Sequence, residues 1–163
     1  MKLQILANPV SGRGRGIQRA REIERVCEEY GINYFTHESQ SHDDVLDWAY
    51  KASRKGDPMV VIGGDGTLST VLNGVHLPCP TITVSPLGTG NVLSKVVKIP
   101  KTSRELIDLL LKEESKNIDL ANITLHDKKN NSFNHRSFLC LGFGFDGEIV
   151  RLMEEHRNGP IHM

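Results

Sequence analysis

The residues best suited to chemistry in this 163-residue chain are Gly63-Gly64-Asp65-Gly66-Thr67. Three glycines let backbone N–H groups approach a ligand with no side chain in the way, and they admit positive φ. Asp65 stands among them as a lone carboxylate. Amides at the start of a helix attract phosphate. A carboxylate in the same place repels phosphate unless a cation such as Mg2+ lies between them. The pattern therefore predicts one of two things. Either it is a phosphate cradle with Asp65 serving metal and catalysis, or a tight β–α turn in which Asp65 merely caps a helix. Hydroxyl donors that suit such a cradle are Ser11, Thr67 and Thr89.

The elements around the motif place it at the end of a strand. Met59-Val60-Val61-Ile62 is a short apolar run before it, and Leu68, Val71, Leu72 and Val75 follow at helical spacing, with the helix starting near Thr67. Upstream, Leu3 to Ala7 reads as an opening strand. The turn-forming stretch from Asn8 to Gly16 follows, and then a helix striped by Ile17, Ala20, Ile23, Cys27 and Tyr30 and stopped by Gly31. A strand from Ile32 to Thr36 leads to a helix opened by Ser41, Asp43 and Asp44, with Val45, Trp48, Ala49 and Ala52 inward. Thr81 to Val84 is a fourth strand, ending in Pro86-Leu87-Gly88-Thr89-Gly90-Asn91. Strands alternating with helices predict a mostly parallel, three-layer α/β sheet. Ligands of such sheets bind at the carboxyl ends of the strands, where all three Gly-rich loops fall. Later, Thr102 and Ser103 cap a helix, Ile118 to Leu125 is a strand, Asp127 to Asn131 a hairpin tip and Ser137 to Leu141 the return strand. Gly142 to Gly147 forms a further Gly-rich turn, and a helix follows from Glu148 to about His156.

Composition narrows the function. Twenty basic and twenty acidic residues leave no net charge, which argues against a broad nucleic-acid surface. No apolar run is long enough to span a bilayer and no secretion signal is present, so a cytoplasmic protein touching membranes only peripherally is expected. Cys27, Cys79 and Cys140 form no CxxC, and the seven histidines form no zinc pattern. Gly12-x-Gly14-x-Gly16 is not the dinucleotide fingerprint, although Glu38 stands near the acidic position such a site needs. Neither a P-loop, a nucleophile elbow nor a protein-kinase motif occurs. Phosphoryl transfer by positioning and charge neutralisation remains.

Asn8-Pro9-x-Ser11-Gly12, Gly63-Gly64-Asp65-Gly66-Thr67 and Pro86-Leu87-Gly88-Thr89-Gly90-Asn91, in this order, resemble the diacylglycerol kinase catalytic-domain family. The likeness continues through Ile118-Asp119-Leu120 and Gly142-Phe143-Gly144-Phe145-Asp146. The glycine motif alone is shared with NAD kinases and sphingosine kinases, and the Asn-Pro-x-Ser-Gly opening favours lipid kinases. The resemblance implies a phosphofructokinase-like fold and transfer of the ATP γ-phosphoryl group to a lipid hydroxyl such as that of diacylglycerol. It implies ATP contacts at Asn8, Ser11, Gly12, Thr36, Gly63, Gly64, Asp65, Gly66, Thr67 and Thr89, with Asp65 and Asp119 toward Mg2+.

Departures from the family pattern accompany it. Thr70 and Val92 stand where many relatives carry carboxylates. A β-rich second domain, which holds much of the family's lipid site and its base, is expected to be missing after residue 163. A non-catalytic nucleotide-binding module is the alternative. Ile149, Leu152, Met153 and Ile161, left bare, predict self-association.

Overall fold

A computed structural model describes residues 2–112, 114–127, 129–139 and 144–155. The elements run β1 (Lys2–Ala7), a single turn α1 (Ser11–Gly14), α2 (Gly16–Glu29), β2 (Asn33–Glu38), α3 (His42–Ser53), β3 (Met59–Gly63) and α4 (Asp65–Gly74). They continue with β4 (Ile82–Pro86), α5 (Val92–Val96), α6 (Ser103–Leu111), β5 (Ala121–His126), β6 (Ser132–Ser137) and α7 (Phe145–Glu155).

β1 to β4 form one parallel sheet in the order β2-β1-β3-β4. The two central strands are buried almost throughout, as a sheet covered on both faces requires. Their side chains alternate. Leu3, Ile5, Ala7, Val60 and Ile62 pack on Ala20, Ile23 and Cys27 of α2 and on Leu106 and Ile107 of α6. Leu6, Met59 and Val61 pack the other way, on Val45, Trp48 and Ala49 of α3 and on Leu68 and Val71 of α4. The three-layer α/β expectation is met.

Strand order also explains where a cleft opens. The crossovers β1 to β2 and β3 to β4 travel in opposite directions, so right-handed connections put α2 and α4 on opposite faces. The chain parts at the carboxyl ends of β1 and β3, the switch point where open α/β sheets bind ligands.

Helix ends follow the sequence signals. The Ser41 hydroxyl accepts from Asp44 N at 3.1 Å, and Thr102 does the same for Glu105 N at 3.3 Å. Gly31 follows α2 with φ 65°.

The later segments differ from expectation. The hairpin tip falls at Asp127 to Asn131 as expected, but the return strand β6 spans Ser132–Ser137, because the mostly polar, exposed stretch from Ser132 pairs with β5 directly after the tip. The Asp127 carboxylate accepts from Lys129 N and Asn131 N at 2.8 Å each and from Asn131 Nδ2 at 2.7 Å, which reverses the chain at once. The register Ala121↔Ser137 to His126↔Ser132 then leaves Ile118, Asp119 and Leu120 outside the ladder. α7 starts at Phe145, not Glu148, with Asp146 and Glu148 in its first turn. Cys140 and Leu141 of the expected return strand, the turn residues Gly142 and Phe143, the expected helix end at His156, and Ile161 lie outside the described residues.

The hairpin is fastened to α4. Arg136 N donates to Asn73 Oδ1 at 2.7 Å, and Asn73 Nδ2 returns a bond to Arg136 O at 3.0 Å. Arg136 Nη1 donates to the carbonyls of Leu72 and Val75 at 3.0 and 2.7 Å, acceptors that a helix end leaves open.

Candidate functional site

Asn8 leaves β1 and ties two loops together. Its Oδ1 accepts from Val10 N at 3.2 Å, and its Nδ2 donates to Thr67 Oγ1 at 3.0 Å. Gly12 and Arg13 are both left-handed, at φ 59° and 61°. Arg15 Nε donates to Gly12 O at 2.8 Å and steadies that bend. The start of α2 then presses against the loop. A Cβ at Gly16 would stand 1.9 Å from the Asn8 carbonyl oxygen.

Gly64 is the N-cap of α4, at φ −99° and ψ −171°, and the helix begins at Asp65 rather than near Thr67. Gly63, Gly64 and Gly66 do not use positive φ, contrary to expectation. Their value is space. A Cβ on Gly64 would lie 2.9 Å from Gly88 Cα, and one on Gly88 would lie 2.6 Å from Gly64 Cα. The cap has no side chain, so the first N–H groups of α4 stay free of capping bonds at a point that lines the cleft.

The loop after β4 docks on this turn. Leu87 N donates to Gly63 O at 3.0 Å. Gly88 N donates to Asn91 Oδ1 at 2.9 Å, and Asn91 Nδ2 donates to Gly88 O at 2.5 Å. Asp65 reaches across to the same loop, where its Oδ2 accepts from Val92 N at 3.0 Å and its Oδ1 from Leu93 N at 3.3 Å. The carboxylate thus caps α5, not its own helix.

These loops enclose an open cleft of about 1160 Å3. Of the residues singled out by sequence, Asn8, Ser11, Gly12, Gly64, Asp65, Gly66, Thr67 and Thr89 line it. Gly63 is buried behind the turn. Two others are elsewhere. Thr36 donates its hydroxyl to Glu24 Oε1 at 2.6 Å and does not line the cleft. Asp119 is exposed ahead of β5 and does not line it either.

The sequence reading missed Arg13, Arg15 and the segment Ser39 to His42, which complete the wall. The segment follows β2, so the carboxyl-end rule was the signal that could have found it. Asp44 holds it in place, accepting from Gln40 N and from His37 Nε2 at 2.9 Å each. The Gln40 amide, and then the His37 ring, hold the Asp44 carboxyl below its ordinary value of 3.8. His37 stacks in turn on Trp48.

Asp65 is the one carboxylate among the described residues that line the cleft. No group of three or more His, Cys, Asp or Glu suited to a metal ion occurs among the described residues. The expected pairing of Asp65 with Asp119 at Mg2+ does not fit this arrangement.

A doubly wound parallel sheet with three Gly-rich loops meeting at its switch point defines an α/β domain with one main cleft at the carboxyl edge. Comparison with known proteins makes the assignment specific. The diacylglycerol kinase catalytic domain model matches residues 2–123, and the chain belongs to that family. It is 26% identical over 157 residues to a diacylglycerol kinase of Staphylococcus carnosus, covering 94% of this chain and 47% of that protein. It is 28% identical over 127 residues to a diacylglycerol kinase of Bacillus subtilis, covering 75% and 42%. A crystal structure of a diacylglycerol kinase from Bacillus anthracis superposes with a TM-score of 0.63 at 25% identity, over 73% of this chain and 42% of that one. The chain spans less than half the length of these relatives.

Proposed function

We propose that this chain is the nucleotide-binding part of an ATP-dependent lipid kinase. The γ-phosphoryl group would pass from ATP to the hydroxyl oxygen of diacylglycerol or a related lipid, with ADP leaving and the hydroxyl proton released. One observation carries the reading. In a chain of this family, the loops after β1, β3 and β4 and the N-terminus of α4 meet around a single cleft. Amides from Gly64 to Thr67 and the hydroxyls of Ser11, Thr67 and Thr89 suit a chain of phosphates, and Arg13 and Arg15 bring positive charge to the same wall. Phosphoryl transfer asks a protein chiefly for such positioning and charge neutralisation.

A second reading rests on the single carboxylate. A cleft whose described lining offers Asp65 as its one carboxylate, with Thr70 a turn further along α4, is suited to holding a nucleotide without turning it over. Titration calorimetry with ATP and ADP, followed by a radiolabel assay on diacylglycerol micelles, separates the two. Binding with labelled lipid product supports the kinase, and binding alone supports the nucleotide-binding module. A chain that binds neither nucleotide overturns both.

A further inference from the structure

Asp65 stands in the cleft, yet both its carboxylate oxygens are engaged by the backbone of the neighbouring loop. We propose that Asp65 is a positioning residue that clamps residues 87–93 against the glycine turn, and that it is not a direct ligand of a phosphate-bound cation. The cation clause rests on the nucleotide reading above; the clamp itself does not.

Three observations support it. The N-cap of α5, Asn91, has spent its own side chain on Gly88 and makes no cap bond to its helix. The Val92 and Leu93 amides would otherwise lack an acceptor, and Asp65 supplies one from 27 and 28 residues earlier in the chain. Secondly, Gly64 and Gly88 meet with no side chain between them, so that while Leu87 and Leu93 anchor the loop in the core, the seam itself is held by polar bonds. Across that seam these are Leu87 N to Gly63 O and the Asp65 pair. Thirdly, the wall that Asp65 shares is basic, with Arg13 and Arg15 in the same lining. A cation at these oxygens would compete with two N–H donors already aimed at them, and the described residues of the lining offer no second carboxylate to share it.

The test combines amide hydrogen exchange with nucleotide titration on the full chain. In Asp65→Asn, the amide nitrogen cannot accept and meets an N–H head on. Val92 and Leu93 should then exchange about tenfold faster or more, the size expected for a lost charge-assisted bond. The core amides of β1 and β3 should not change. Affinity for ATP should fall by a similar factor in EDTA and in MgCl2. In the wild type, adding Mg2+ to the ATP complex should leave the two amides as protected as before. Unchanged exchange in the variant overturns the clamp. An affinity loss confined to MgCl2, or wild-type protection that collapses when Mg2+ is added, overturns the cation clause. A wild type that binds neither ATP nor ADP removes the nucleotide reading, and the exchange rates alone then decide the clamp.

Discussion

Arg13 holds φ 61° in the bend beside the cleft, a conformation that costs a non-glycine residue about 1–2 kcal/mol. Arg13→Gly relieves that strain, against about 0.4–1 kcal/mol of added chain entropy in the unfolded state. We expect the melting temperature to hold or rise slightly while affinity for ATP falls, since a cation leaves the wall. Thermal melts paired with calorimetry check this, and equal affinity in the variant would sink it. Gly64→Val is the opposite case. Its side chain must push Gly88 away, so folded protein should bind ATP at least about tenfold more weakly, the loss that accompanies about 1.4 kcal/mol. Retained affinity in folded Gly64→Val would place the phosphates elsewhere. The cleft residues were readable from sequence because glycines and hydroxyls at strand ends announce themselves. Thr36 was not. It pairs with Ile5 in the register, and Ile5 faces α2, so the Thr36 hydroxyl is turned toward Glu24. Which face a strand residue takes depends on its neighbour strand, and one sequence does not reveal that pairing.

Among the elements, α2 and α4 were legible from their apolar periodicity, and α3 and α6 from periodicity and N-caps that agree. The hairpin tip at Asp127 to Asn131 was legible as well, but the start of β6 was not, because Ser132 to Arg136 are mostly polar and exposed and lack the apolar alternation that marks a strand. Arg136 is the clasp between that hairpin and α4. Replacing it with Ala leaves the Leu72 and Val75 carbonyls without their donor and should cost about 1–3 kcal/mol, read from denaturant midpoints. Amide protection should fall in β5 and β6 more than in β1 and β3, and uniform loss would contradict a local joint. The β2–α3 connection carries a pH dependence. The folded Asp44 carboxyl titrates below 3.8, so its contribution is present above that range and disappears as pH falls through the folded value. Asp44→Asn should therefore be less stable than wild type at pH 7, and the two melting curves should converge below about pH 4. A constant gap down to pH 2 would show that Asp44 acts through shape alone.

At the scale of the molecule, the chain carries the parallel sheet and the cleft of its family. No helix among the described residues is long and apolar enough to cross a membrane. On α7, Phe145, Val150 and Met153 are exposed at 78%, 56% and 67%. An apolar helix face in water favours association. Sedimentation velocity should show mass rising with concentration, and Val150→Glu with Met153→Glu should reduce it. A monomer at every concentration would refute this.

The contact between Gly64 and Gly88 has a consequence for how this cleft can change by mutation. In most packed pairs, a residue that grows can be accommodated by a partner that shrinks. Here each partner is already the smallest residue there is. A second-site suppressor of Gly64→Ala cannot arise at Gly88, nor one of Gly88→Ala at Gly64. Any revertant that keeps the new methyl must move a whole loop, and the Asp65 bonds to Val92 and Leu93 resist that movement. The seam is therefore a position from which the sequence has almost no single-step exit.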